Sequence, residues 1–534
     1  MRKQHSSNVA AAITAVAFLS LAQLAHAESP NWPQAAGPNA NWQVVGAAPT
    51  QWSVVRNENI AWRTPMPECG QSAVTVWGDK LFTTIHKPID SFEERFLGSD
   101  IIGYCLDAKT GDVRWTVELS GTQSMELACG FSDATVFAPV TDGKYVWFFN
   151  RCGSMGCYDF EGNEVWFRKY PMRFKHSNRQ CEPILVDGQI LNVEVANKEK
   201  GVTIRKFKAG TSNTIAPKLP DGIDEKEVWT YLHGIDAATG NILWREQAGT
   251  SIHNTPLVGR LADGTPAIVH ARGGGHGPLE KPYGVSLTSL AKDAAGATLW
   301  STALPGYDPS FSNHWNSRYV FGFHKGEHVV LSTVSGEVLR RQQLYKSADL
   351  WERDGDDWKL RQGVAVPAGK GHPNTNHANM VVGDWHWFLA HNKPYIGRVH
   401  IETGKVEYLE VPAQLNASKN DRDHDKWRWG QGMKNVPVNA RGFAIGRKGH
   451  DGTGFGHISA ASPTLVGRHL FFPVVTGTVY VIDSTVERLT PNAIVSINDL
   501  GTSGETWTLS SFSYSESRLY MHTMRDVICI GTKP

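Results

Sequence analysis

Cys105-Leu-Asp-Ala-Lys-Thr-Gly111-Asp-Val-Arg-Trp115 reads as a strand, a short turn closed by glycine, and a second strand that carries a tryptophan. Glycine suits the left-handed turn position, aspartate can bond the turn backbone, and the alternating strand sets its large ring against a neighbouring sheet. The phrase returns as Cys157-Tyr-Asp-Phe-Glu-Gly162-Asn-Glu-Val-Trp166 and Ile235-Asp-Ala-Ala-Thr-Gly240-Asn-Ile-Leu-Trp244. Weaker copies are Asp293-Ala-Ala-Gly296-Ala-Thr-Leu-Trp300, Thr333-Val-Ser-Gly336-Glu-Val-Leu339 and Ile401-Glu-Thr-Gly404-Lys-Val-Glu-Tyr408. The tryptophans at 115, 166, 244 and 300 thereby read as packing residues on outer strands.

A second hairpin signal precedes these copies, as in Val76-Trp77-Gly78-Asp79-Lys80-Leu81-Phe82 and Leu185-Val-Asp-Gly188-Gln-Ile190. Two hairpins per unit make a four-stranded antiparallel blade, and repetition at blade-sized intervals makes a β-propeller. Units begin near Gln71, Ser132, Arg179, His253, His314, Asn376, Ser459 and Ser510, which predicts an all-β, eight-bladed ring. Seven blades is the alternative, because the fifth unit is poorly patterned. The last unit lacks an outer strand, and Asn59-Ile60-Ala61-Trp62-Arg63-Thr64 matches the missing tryptophan strand. Pairing the two ends of the chain would close the ring and remove two exposed edges.

Outside the repeat, Arg2 and Lys3, an apolar stretch from Val9 to Leu24, and Ala25-His26-Ala27 read as a secretory signal peptide cleaved after Ala27. The division expected is a signal peptide at 1–27, an N-terminal extension at 28–57, and a propeller at 58–534 with an insertion at about 415–455. Such a chain is secreted or periplasmic. No later apolar run reaches the roughly 20 residues of a membrane-spanning helix. The formal charge of +1 gives no support to nucleic-acid binding. A monomer is expected. Among seven cysteines, Cys152 and Cys157 flank a turn sequence and are a candidate disulfide.

Trp32-Pro33-Gln34-Ala35-Ala36-Gly37-Pro38-Asn39, then Pro49-Thr50-Gln51-Trp52-Ser53, then the Trp62 strand followed by Pro65 and Pro67, resemble the opening of pyrroloquinoline-quinone (PQQ)-binding-like β-propeller repeat proteins, in the quinoprotein-like superfamily. The resemblance covers essentially the mature chain. It implies a propeller and leaves function open between dehydrogenases and envelope assembly scaffolds. The alcohol dehydrogenases of that family typically carry adjacent cysteines, and none occur here; a Cys-x-x-Cys-His haem sequence is also absent. PQQ and Ca²⁺ as cofactors are therefore disfavoured.

Loops entering the innermost strands of a propeller gather around the axial channel, where ligands bind. Aligning the units brings Ser72, Cys181, Asn254, His377, Ala461 and Ser510 to equivalent positions, predicting a polar ring. Gln71, His176, Gln180, Glu182, His253, His314, Arg318, His372, Asn374 and His457 stand beside it. Imidazoles at a channel mouth can act as general bases, hold an anionic sugar or ligate a metal. His253, His314 and His377 with Arg318 are the candidate catalytic set; a metal, if one binds, falls to His372, His377 and His457. Gln71, Ser72, His176, Gln180, Glu182, Asn254, His372, Asn374, His457 and Ser510 are the candidate ligand contacts. The plainer reading is that these side chains satisfy loop backbone groups.

Three functions follow: a binding or scaffold propeller of the cell envelope that meets a protein partner or small ligand, a carbohydrate-active lyase or hydrolase, and a PQQ- and calcium-dependent oxidoreductase. The first is the principal expectation.

Overall fold

The computed structural model describes residues 31–534 apart from 69, 71, 89–97, 123–136, 171–180, 196–221, 223, 251–253, 274–278, 308–311, 367–377, 391–393, 413, 416–426, 430–434, 443–460 and 534. The expected signal peptide and most of the 415–455 insertion lie outside the described residues. Within them the chain forms eight antiparallel blades in a ring, as the repeat predicts. Blade 1 is Thr75–Trp77, Lys80–His86, Ile101–Asp107 and Val113–Leu119, from the axis outward. Blades 2, 3 and 4 repeat it, beginning at Val140–Thr141, Ile184–Val186 and Leu257–Arg260. Blade 5 has three strands, Tyr319–His324, Glu327–Ser332 and Val338–Gln343, and only a bridge from Trp315 to Val320 stands for its innermost strand. Blades 6, 7 and 8 begin at Asn379–Val382, Thr464–Val466 and Ser513–Ser515.

Ring closure follows the sequence prediction. Ile60–Pro65 pairs antiparallel with Asp526–Ile530, so the N-terminal strand completes blade 8. The repeat's tryptophan then does the same job at successive junctions. Trp62 lies on Gly111 of blade 1 and donates from Nε1 to Ala108 O at 3.1 Å. Trp115 donates to Phe160 O at 2.9 Å, Trp166 to Ala237 O at 3.1 Å, and Trp300 to Thr333 O at 2.8 Å, each reaching the next blade's outer turn. The turn glycine is required by space as well as by its φ of +79°: a Cβ at Gly111 would sit 2.5 Å from the Trp62 ring. Where the phrase loses tryptophan, Arg340 takes its place and donates to Ile401 O at 2.6 Å and Glu402 O at 2.5 Å.

Two features were not legible in the repeat. The hairpin Ala348–Asp354 and Asp357–Val364 extends blade 6 outward, pairing in parallel with Val406–Glu410 and covering Tyr408, which is fully buried. The N-terminal extension is a strap across the axis. Trp32 N donates to Val76 O of blade 1 (2.7 Å), Pro33 O accepts from Thr141 of blade 2 (2.9 Å), and Gln34 Oε1 accepts from Leu185 of blade 3 (2.8 Å). Gln43 Nε2 then donates to Val381 O of blade 6 (3.0 Å), and Gln43–Val44 pairs in parallel with blade 7. Trp32 and Trp42 are 0% and 2% exposed. All these contacts fall where the first hairpins turn, so the strap fills that end of the channel.

The candidate disulfide is corrected. Cys152 and Cys157 are free and buried in different apolar clusters, one at the Gly98 carbonyl and one beside Trp147 and Trp166. The hairpin from Asn150 to Ser154 separates them, and burial pushes both thiols up to about 12. No helix among the described residues is long and apolar enough to cross a membrane.

Candidate functional site

The end of the channel opposite the strap is where the innermost strands begin. A ring of polar groups there bonds across blade junctions. Thr75 Oγ1 donates to Pro139 O (2.6 Å), Ala138 N to Glu182 Oε2 (2.7 Å), and Glu182 N to Thr255 Oγ1 (3.1 Å). Asn254 Nδ2 donates to Asn313 Oδ1 (3.2 Å), Asn379 Nδ2 to Ser312 O (3.3 Å), Thr464 Oγ1 to Phe512 O (2.8 Å), and Ser513 Oγ to Val74 O. These bonds join blades 1 through 6 and 7 through 8 to 1. Between blades 6 and 7 the ties include Arg398, which donates to Val486 O (2.8 Å) and Glu487 O (2.7 Å) and holds Glu407, and the Tyr480 hydroxyl, which donates to Pro412 O (2.6 Å). Buried polar groups need such partners, so the ring is first a structural belt.

Individual candidates divide accordingly. Ser72 is fully buried and bonded to Thr83 and Thr84 within blade 1, and Ser510 donates to Ser511 O. Arg318 does not join His314. It stands in the turn after the innermost segment of blade 5, at the strap end of the ring, 69% exposed, against Tyr319 and Glu402. A strand separates the start of a unit from its first turn, and that length takes the guanidinium away from the mouth; the catalytic pairing read from the sequence is corrected here. His176, His253, His372, His377, His457, Gln71, Gln180 and Asn374 lie outside the described residues.

His314 is 4% exposed and faces inward, in a cluster with His328 and His386 between blades 5 and 6. His386 Nε2 lies 2.8 Å from Asn379 Oδ1, and its Nδ1 lies 3.0 Å from His328 Nε2. This pattern assigns the proton on each ring to Nε2. Phe321 and Phe323 pack against the pair. Desolvation lowers His314 to about 4 and His328 to about 3, and it lowers His386 too, with the other two rings adding repulsion. Three neutral imidazoles in an aromatic wall are core. The sequence registered a histidine at a unit start but not that it turns into the blade interface.

Glu182 is different. It is half-buried at the mouth, one oxygen accepts from Ala138 N, and burial raises its carboxyl to about 8. A carboxylic acid poised near neutral pH can donate or accept a proton. A second buried carboxylate, Glu246, meets His270 at 2.6 Å between blades 3 and 4, with both side chains fully buried. Nothing in the repeat marks it.

The quinone named by the resemblance is a tricarboxylate and needs cations. The described ring supplies serine, threonine, asparagine, cysteine and the acid Glu182, and Arg318 is at the far end. Among the described residues that ring holds no cation of its own, while the buried Arg151 stands in the mouth-side turn of blade 2.

No protein-family model matches the sequence, and no curated protein does. Among solved structures the chain is similar to quinohemoprotein alcohol dehydrogenase from Comamonas testosteroni, at 12% identity and a TM-score of 0.49, over 95% of this chain and 82% of that one. A europium-containing methanol dehydrogenase matches at 10% identity and 0.49, over 92% and 89%. BamB from Moraxella catarrhalis matches at 11% and 0.33, over 88% and 96%. The fold is an eight-bladed β-propeller.

Proposed function

We propose that the chain is a binding propeller of the cell envelope, which takes its ligand or protein partner at the axial mouth where the innermost strands begin. The observation that supports this is the strap: residues 32–44 bond across one end of the ring, which leaves the other end, with Glu182, as the candidate binding face. The ring's bonds across blade junctions favour recognition over catalysis, and the expected N-terminal leader favours export. A photo-crosslinking side chain at Lys87 or Lys325, exposed on the mouth face, should capture a partner in cells. The same group at Lys144 or Arg318, exposed at the strap end, should not. Capture only from the second pair would reverse the assignment.

An enzyme acting on carbohydrate is the second reading, favoured by Glu182 alone. A carboxyl raised from 4.5 to about 8 holds its proton in the folded chain while the unfolded chain loses it. Stability due to this group is therefore present below pH 4.5 and is lost as pH rises toward 8. E182Q removes the titration, so the variant should gain on the parent in melting temperature between pH 5 and pH 8 and hold that gain above it. A constant difference across the range would mean that Glu182 is an ordinary carboxylate, and the enzymatic reading would lose its support.

A further inference from the structure

Between blades 7 and 8 is a cavity of about 100 Å³ that the axial site does not use. It is assembled from distant parts of the sequence: Val54 and Val55 of the extension, Arg63 of the closing strand, Leu500 to Trp507 leading into blade 8, and the Thr523–Asp526 turn. The connection from an outer strand to the next innermost strand, and the turn between second and third strands, both belong to the mouth face, so the cavity lies on that face rather than at the strap end.

Its lining is mixed in a particular way. Trp507 is 1% exposed, and its Nε1 donor has no partner among the described residues. The donor is closed off from water, so the indole contributes to the cavity as a wall. Thr506 gives its hydroxyl proton to Thr502 O at 2.8 Å, which leaves its oxygen free to accept. Thr523 Oγ1 accepts from the backbone of Arg525 and Asp526, both at 3.2 Å. The two guanidiniums are unequal. Arg63 is locked to Asp526 at 2.5 Å, whereas Arg525 reaches Glu505 at 3.4 Å with both side chains part-exposed. A loose surface pair yields readily to a better-placed anion, and the guanidinium fork suits a carboxylate.

We propose that this cavity is a second ligand site, for a single acidic sugar residue of the uronic-acid class: its carboxylate on Arg525 and its hydroxyls on Thr506, beside the Trp507 ring. The volume is far below the roughly 300–1,000 Å³ of a drug-sized pocket, so it takes the carboxylate end of one ring and leaves the rest in solvent. Arg63 and Asp526, already paired, offer a fixed polar edge to the ring's hydroxyls.

The experiment is a titration of the mature chain labelled with ¹⁵N-tryptophan, the Trp507 indole resonance being assigned by its loss in Trp507→Phe. Glucuronate should shift that resonance in a saturable way, and glucose should need at least tenfold more. Arg525→Ala should weaken glucuronate at least tenfold, while Arg468→Ala, an exposed arginine paired with Asp483 elsewhere on blade 7, should change nothing. An unchanged near-ultraviolet spectrum shows that Arg525→Ala is folded. Equal affinity for glucose would overturn the carboxylate assignment, an equal response to inorganic sulfate would overturn the sugar, and no response to any probe would overturn the site. Because the crosslinking test reads the axial mouth, either proposal can fail without the other.

Discussion

Lowering the pH from 7 to 5 should cost the folded chain about 2 kcal/mol for each of His314 and His328, about 4 kcal/mol together, with His386 adding in the same direction. Both rings are held neutral by burial, at about 4 and about 3, against an ordinary 6.5 in the unfolded chain. Between those limits the unfolded chain binds protons that the folded one refuses. Stability is therefore full above pH 6.5 and is lost progressively as pH falls toward 4. Urea unfolding at pH 7, 6 and 5 measures the loss, and the double variant His314→Gln with His328→Gln should lose about 4 kcal/mol less over that interval. The histidine Cε1–H resonances give an independent reading: three should stay at neutral positions down to pH 5. If all histidine resonances titrate near 6.5, the cluster is solvated and the prediction is wrong.

Trp62→Ala should destabilise the ring by about 3–5 kcal/mol, the range for deleting a buried aromatic side chain. The indole is 9% exposed, covers Gly111, packs against Tyr520 at 6.1 Å and donates to Ala108 O. It stands at the only junction formed by pairing the two ends of the chain, so its loss also loosens the strand that closes blade 8. Leu339→Ala is the control. That side chain is on an outer strand as well but is 52% exposed, and its replacement should stay within about 0.5 kcal/mol. A Trp62→Ala cost near that of Leu339→Ala would show that closure rests on the backbone ladder alone.

Of the candidate site, the unit starts were legible in the sequence. Asn254 and Ser510 were correctly placed at unit starts by spacing, because each blade has the same strand order and begins at the same end of the axis. Their partners were not readable: Asn313 meets Asn254 from a unit whose innermost strand is reduced to a bridge, and Thr255 meets Glu182 from the next blade. Arg318 was misplaced because the innermost segment of blade 5 is reduced to the Trp315–Val320 bridge, so its first turn begins at Asn316 and Arg318 already stands in that turn. The cavity between blades 7 and 8 left no local signal at all, since Arg63 and Arg525 come from opposite ends of the chain.

What the sequence determined by itself was the architecture: four-stranded units, eight of them, tryptophans on turn glycines, and a ring closed by the Trp62 strand. Those properties are local and repeated, so a short window of residues states each one. Only the tertiary structure decided which way His314 faces, that the expected extension is a strap across five blades, and that Glu182 is desolvated enough to keep its proton near pH 8. Those depend on neighbours far apart in the chain, and burial and charge act through space rather than along the backbone.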